Sequence, residues 1–244
     1  MNALPSFDVA TPALVQARAL QQRVDRKYLL AADDLAPLLH RLHPHHLLLR
    51  AGREAWARYE NLYFDSPERG LFHAHRRGCR PRYKVRIRRH LDRQLTFLEI
   101  KRKENSGRTV KLRLPMPYGD NELGSRERQF IETHTPIDAA RLVPLLTISF
   151  LRLTLVGSAI NERVTVDRQL IFCIGCQTRQ VSGVVIAEVK QSQYANHDGA
   201  VRALRDLHAT AESISKYCVG TVMLVLGCAN VFKLAVRAIL RLSS

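Results

Sequence analysis

The run Arg82-Tyr83-Lys84-Val85-Arg86-Ile87-Arg88-Arg89-His90 is followed, four residues on, by Leu95-Thr96-Phe97-Leu98-Glu99-Ile100-Lys101-Arg102-Lys103. In the first run Arg82, Lys84, Arg86, Arg88 and His90 take the even positions, with Tyr83, Val85 and Ile87 between them. In the second, Glu99, Lys101 and Lys103 oppose Leu98 and Ile100. A repeat of two is the signature of a strand, and here it separates one charged face from one apolar face. The pattern continues outward in both directions. Lys111 and Arg113 oppose Val110, Leu112 and Leu114; Arg163, Thr165 and Asp167 oppose Val164 and Val166; Glu188 and Lys190 oppose Val185, Ala187 and Val189. Arg23, Asp25 and Lys27 form a similar face near the start.

Candidate strands cover residues 23–30, 58–65, 82–90, 95–103, 108–115, 145–156, 161–170 and 184–191, enough to close a barrel. Helical patterns fall between them. Residues 33–43 carry an N-cap candidate before Leu35, Leu38, Leu39 and Leu42, and residues 197–210 carry Val201, Leu204 and Leu207. A single strand of this kind reads as a sheet with its charged face in water. The number of them changes the reading, because the helices need apolar faces to pack on, and those lie opposite the charges. With helices outside, the charges point inward. The expected fold is mainly β (α+β), an eight-stranded antiparallel β-barrel with flanking and plugging helices. Unpaired buried ions cost on the order of several kcal/mol each, so a polyanion is the natural compensator of such an interior.

Composition agrees. The 244 residues hold 38 Lys+Arg against 22 Asp+Glu, a formal charge of +16, which points to an anionic partner. No Gly/Ser or Pro tract divides the chain, and its hydrophobic content of 46% supplies a core. Residues 1–22 lack the charged start, apolar run and cleavage site of a secretory signal, so the expected location is the cytoplasm. Five scattered cysteines do not make a disulfide framework, and Cys173 and Cys176 lack a second pair for zinc, so they read as inert. His40, His43, His45 and His46 crowd one helix end and read as surface residues. From 217 to 232 the chain is uncharged but short for a membrane span, and Lys233, Arg237 and Arg241 then recur every four positions. A helix packed along the barrel is the reading, with a membrane-associated tail at the inner face of a membrane as the alternative.

Arg forks and Lys point charges grip consecutive phosphates, and acids among them supply the hard oxygen donors that Mg²⁺ or Mn²⁺ needs to bridge phosphates. Asp25, Glu99, Asp167 and Glu188 stand on the same faces as the bases, either as metal ligands or as ion-pair partners. Phosphoryl transfer relies on positioning and charge neutralisation, so no Ser/His/Asp constellation is required.

Several segments together resemble the VTC domain, the polyphosphate polymerase module of the vacuolar transporter chaperone complex and a member of the triphosphate tunnel metalloenzymes. They are Arg23 to Tyr28, Tyr63 to Asp65, Tyr83 to Arg88, Phe97 to Lys103, Val166-Asp167, Ala187 to Lys190 and Ser215 to Tyr217. The resemblance implies a tunnel in which ATP binds with Mn²⁺ or Mg²⁺ and passes its γ-phosphate to phosphate or a growing polyphosphate chain. Position by position, it implies Lys27, Arg86, Arg88, Lys101, Arg152, Arg163 and Lys216 as phosphate ligands and Glu188 as the metal-binding glutamate. Asp25 stands where the family has Glu, a shorter reach toward a metal, and Glu99 is a further metal candidate. Strand alternation adds Lys103, Lys111, Arg113 and Lys190 to the lining. Catalysis is expected of Lys27, Arg86, Arg88, Lys101 and Glu188. The division is an N-terminal extension at 1–22, a VTC-like tunnel domain at 23–220 and a C-terminal helix at 221–244.

Rival readings are a hydrolase of inorganic or nucleoside triphosphates in the same tunnel and a non-catalytic polyphosphate binder. Nucleic acid is not an expected partner, since aromatics for stacking are only 7% of residues. Regulatory and membrane modules of the eukaryotic subunits have no counterpart, so export falls to a membrane-protein partner.

Overall fold

The computed structural model describes residues 5–18, 24–50, 52, 54–192, 199–226 and 233–243. Ten strands form one antiparallel sheet: β1 (Val24–Ala31), β2 (His46–Leu48), β3 (Ala57–Asp65), β4 (Arg82–His90), β5 (Leu95–Lys103), β6 (Thr109–Met116), β7 (Val143–Gly157), β8 (Glu162–Ile174), β9 (Gln177–Val181) and β10 (Val184–Gln191). Eight of them follow the order β1-β10-β8-β7-β3-β4-β5-β6, with β2 added to β7 and β9 to β8. The helices are α1 (Pro12–Ala17), α2 (Leu35–Leu42), α3 (Gly70–Arg76), α4 (Ser125–His134), α5 (Gly199–Asp206), α6 (Lys216–Thr221), which runs into a π-helical turn over Val222–Leu226, and α7 (Lys233–Ser243).

The alternation read from the sequence sorts the molecule into inside and outside. Outward residues of β1, β10, β8 and β7, among them Tyr28, Val185, Val164 and Leu155, pack beneath Leu38, Leu39 and Leu42 of α2 and Val201 and Leu204 of α5. Outward residues of β3, β4 and β5 (Phe64, Val85, Ile87, Leu98, Ile100) pack beneath Ile131 of α4 and the following residues Ala139 and Leu142. Helices thus cover both halves of the wall, and the charged faces turn in. A third cluster lies on the inner side. Leu29, Leu146, Ile148, Phe172, Val184 and Ile186 close around Tyr217, Cys218 and Val219 of α6, together with Val236 and Ile239 of α7. The helix α6 is therefore a plug, seated where the inner face of the strands turns from charged to apolar.

The wall does not close into a full barrel. Among the described residues β1 and β6 share no ladder. The free edge of β1 is taken instead by the segment leading to the plug: Tyr28 bridges Ala211, and Glu212 donates its backbone N–H to the Lys27 carbonyl at 2.7 Å. On the facing edge, Lys111 and Arg113 of β6 are exposed, as water-facing charges on an edge strand should be.

Other departures have local causes. Position 23 of the first expected strand lies outside the described residues, as do 197–198 of the second expected helix. The strand expected at 161–170 continues to Ile174 because a bulge at Gln169, φ 52°, shifts register and reverses which parity faces in. Asp34 precedes α2 but makes no side-chain cap, because a 3-10 turn over Ala32–Asp34 leads into the helix instead. His46 is a correction: it is buried, with Nε2 2.8 Å from Glu162 Oε1, because β2 turns it, like Leu48, to the helix-covered side of the wall while His40, His43 and His45 stay exposed. Arg237 and Arg241 of α7 are exposed while Val236 and Ile239 are buried, the arrangement of a helix lying on the protein. No helix among the described residues is long and apolar enough to cross a membrane.

Candidate functional site

Cross-strand register stacks the inward charges in rows. On the wall of β4, β5 and β6, Arg86 lies opposite Glu99 and Glu99 opposite Arg113; the next row is Lys84, Lys101 and Lys111, and the last contains Arg82 and Lys103. On the other wall Lys27 faces Glu188 and Asp25 faces Lys190, while Arg152 faces Asp167.

Three carboxylates organise these cations, Glu99 and Asp167 buried and Glu188 partly so. Glu99, 1% exposed, accepts from Arg86 at 2.6 Å, Lys111 at 2.5 Å and Arg113 at 2.9 Å, with Arg88 at 3.8 Å. Burial alone would raise its carboxyl, but Arg86, Arg88 and Lys111 outweigh that and hold it well below the usual carboxylate range. Asp167 receives a two-pronged bond from Arg152, at 2.5 and 2.7 Å, and another from Lys216 at the start of α6. Glu188 pairs with Lys190 at 2.9 Å and lies 4.0 Å from Lys27; against its burial, Lys190, Lys27 and Arg152 keep it ionised.

Neutral groups aim the arginines. Asn61 Oδ1 accepts from Arg88 Nε at 2.7 Å, and the Tyr63 hydroxyl accepts from Arg86 at 2.8 Å. The plug is fixed by Asp65, fully buried. Its oxygens accept the N–H groups of Ser66, Leu71 and Phe72, ordering the start of α3, and the Tyr217 hydroxyl, which holds α6 and with it Lys216.

Cations still outnumber carboxylates in the lumen, and two lysines show it most. Lys84 and Lys101 sit directly opposite each other, and neither enters an ion pair among the described residues. Like charges so placed repel. Burial and the neighbouring Lys27 and Lys101 bring Lys84 down to about 7, its Nζ donating to Ser215 Oγ at 2.8 Å. Burial and Lys27 bring Lys101 down to about 8, and burial and Arg152 bring Lys216 down to about 8. An arriving polyanion would relieve all of them.

Of the residues expected from the sequence, Lys27, Arg86, Arg88, Lys101, Lys111, Arg113, Arg152, Lys190 and Lys216 face this common space with Glu99 and Glu188. Asp25 stands at the exposed start of β1. Lys103 marks the end of β5, and Arg163 donates to the Val15 carbonyl of α1 at 3.3 Å. Glu99 is ion-paired here to Arg86, Lys111 and Arg113. Lys84, Ser215 and Tyr63 were given no role from sequence, although alternation already placed Lys84 on the basic face and Tyr63 and Ser215 open two of the segments that resemble the family; Asn61 carried no charge to mark it.

Comparison with known proteins agrees with this fold. Solved structures with the same fold include a candidate adenylyl cyclase from Hippeastrum described as having a dominant triphosphatase activity (15% identity, TM-score 0.54, covering 83% of this chain and 96% of that one). Two others are candidate adenylate cyclases, from Bacillus halodurans (13% identity, TM-score 0.50, 80% and 94%) and Vibrio parahaemolyticus (12% identity, TM-score 0.50, 81% and 96%). No curated protein matches the chain. The model of the VTC domain matches residues 22–225, which takes in every strand and the plug helix. The chain belongs to the VTC domain family.

Proposed function

We propose that this protein is a metal-dependent polyphosphate polymerase that transfers the γ-phosphate of ATP to phosphate or to a growing polyphosphate chain. The observation that carries the reading is the surplus of inward cations, above all Lys84 and Lys101, which face each other and enter no ion pair among the described residues. Such a row is costly empty and favourable when a chain of phosphates fills it. Membership of the VTC domain family supports the same reading.

The donor set suits a divalent ion. Asp25 and Glu188 are diagonal neighbours on the inner face of β1 and β10, and Lys101 feels both charges. Carboxylate oxygens are the donors a hard divalent cation prefers, and among the described residues no three acids, histidines or cysteines converge elsewhere. Asp25 and Glu188 would hold Mn²⁺ or Mg²⁺, and such an ion would supply neutralisation of phosphate charge. The chain's own groups do the rest: Arg86, Arg88 and Arg152, held by Glu99, Asn61 and Asp167, present fixed donors to the transferring phosphoryl group. Lys27, Lys101 and Lys216 neutralise charge on the donor and the acceptor.

A hydrolytic reading is favoured by one observation, the exposed wall at Lys111 and Arg113, through which water can reach the lumen. The triphosphatase activity described for the Hippeastrum protein belongs to the same reading. Incubation with ATP and Mn²⁺ or Mg²⁺, with products resolved by gel and free phosphate measured, separates the two. A ladder of polyphosphate with matching ADP is expected; free phosphate without a ladder would replace polymerase by triphosphatase. Glu188→Ala should abolish turnover and leave polyanion binding intact or tighter, and unchanged turnover would remove Glu188 from the metal site.

A further inference from the structure

Between Arg69 and Leu91 the chain carries no Asp or Glu at all, and this stretch builds α3, the loop after it and β4. Alternate residues of β4 turn their charge into the lumen. The rest of the charge lies outside. Arg76 and Arg77, at the end of α3, are exposed, as are Arg80 in the following loop and Arg108 in the turn that joins β5 to β6. Arg80 Nη1 donates to the Asn105 carbonyl of that turn at 3.3 Å, which sets the two loops side by side. Arg82 and Lys103, opposite each other in the β4–β5 ladder, link this outer surface to the lumen row of Lys84 and Lys101.

None of these outer and linking cations enters an ion pair among the described residues. The acids that flank them in sequence are committed elsewhere, Glu104 to Arg102 at 2.8 Å and Glu68 to Arg141 at 3.0 Å. His75 of α3 registers the lumen and its rim together: burial first, then Lys84 and Arg82, push its ring well below the ordinary imidazole value. One positive field therefore runs from the lumen onto the outer surface. An ordinary solvated face mixes both signs, and this one does not. It also offers nothing but charge. Phe72, the aromatic residue of α3, is fully buried, so the helix has no ring to stack on a base. Exposed large apolar side chains such as Tyr118, Val143 and Val225 belong to other elements, so none on this surface can enter a bilayer.

We propose that the surface formed by the end of α3, its following loop and the β5–β6 turn is a second polyphosphate-binding site, outside the lumen. It holds the length of chain that lies beyond the tunnel mouth and so sets how far a chain grows before release. The inference rests on the polymerase reading above and adds what controls product length. A linear polymer of phosphates fits because it can reach from the lumen to this surface and needs no contact except charge.

The test is a variant of the intact protein with Arg76→Ala, Arg77→Ala and Arg108→Ala combined, exposed residues whose side chains make no hydrogen bond among the described residues. Exposed ion pairs are individually weak, so three removed together are expected to cost about tenfold in affinity. Calorimetric titration should show that loss for long-chain polyphosphate and less than a twofold loss for tripolyphosphate, with the matching Arg→Lys variant close to wild type. Incubated with ATP and Mn²⁺, the Ala variant should release ADP at the wild-type initial rate and yield a shorter ladder. Equal losses for both ligands, or none, would overturn the second site. So would a triple variant that loses binding to phosphatidylserine vesicles while keeping its affinity for long-chain polyphosphate, which would assign the surface to a membrane. Free phosphate without any ladder from the wild type would remove the polymerase reading and the control of length with it, whereas a ladder of unchanged length would remove the second site alone.

Discussion

At Glu99 one carboxylate serves Arg86, Lys111 and Arg113 directly and Arg88 at longer range, so its removal strands four cations at once. Glu99→Gln should lower stability by about 3–5 kcal/mol, the cost of breaking a buried ion pair from one side. Urea unfolding measures it, and tripolyphosphate should restore part of the loss by replacing the missing charge. An unchanged midpoint would show that the cations do not depend on this acid. The identity of the inward residues was legible in the sequence, because alternation needs only parity. The partners were not. An acid on a basic strand can hold a metal or a guanidinium, and the choice depends on which strand lies beside it, as the placement of Glu99 opposite both Arg86 and Arg113 shows. His46 escaped for a similar reason: three residues of β2 are too few to show a period, and only the fold sets the ring against Glu162.

Among elements, the main strands were readable and the plug was not. Strands β4, β5 and β10 begin and end where the alternation does, whereas β8 outruns it at the Gln169 bulge. Helix α4 has only Glu127 and Ile131 buried, too thin a stripe to announce itself. Helix α6 comes from an uncharged stretch read as a helix packed along the barrel, with a membrane surface as the alternative, and its position follows from Asp65, more than a hundred residues earlier. Tyr217→Phe deletes the hydroxyl that meets Asp65 and leaves a buried carboxylate short of a donor, at a cost of about 1–3 kcal/mol. In a chain of this length each kcal/mol lowers the melting temperature by about 2–4 °C. Thermal unfolding should show that decrease, and turnover should fall as well, because α6 carries Lys216. A lower melting temperature with turnover unchanged would separate the plug from catalysis.

For the whole molecule, the crowding of cations makes pH a direct probe. In the unliganded protein, Lys84 at about 7 and Lys101 and Lys216 at about 8 lie below an ordinary lysine, near 10.5. Between those values the unfolded chain binds more protons than the folded one, so stability should rise as pH climbs from about 7 toward 10. A bound polyanion favours the charged amines and reverses the balance. Tripolyphosphate should therefore bind with proton uptake near pH 8 and weaken from pH 6.5 to 8.5, which titrations in buffers of different ionisation enthalpy will reveal; no uptake would mean that these amines are already charged. The gap between β1 and β6 bears on something else, the way a long chain gets in and out. A seamless ring must be threaded from a free end and surrenders its strand only end-first. A wall with no ladder between β1 and β6 among the described residues could, on the polymerase reading, take hold of a polymer in the middle beside the segment that lines β1 and let it go sideways, so contact with such a chain need not last until its terminus passes.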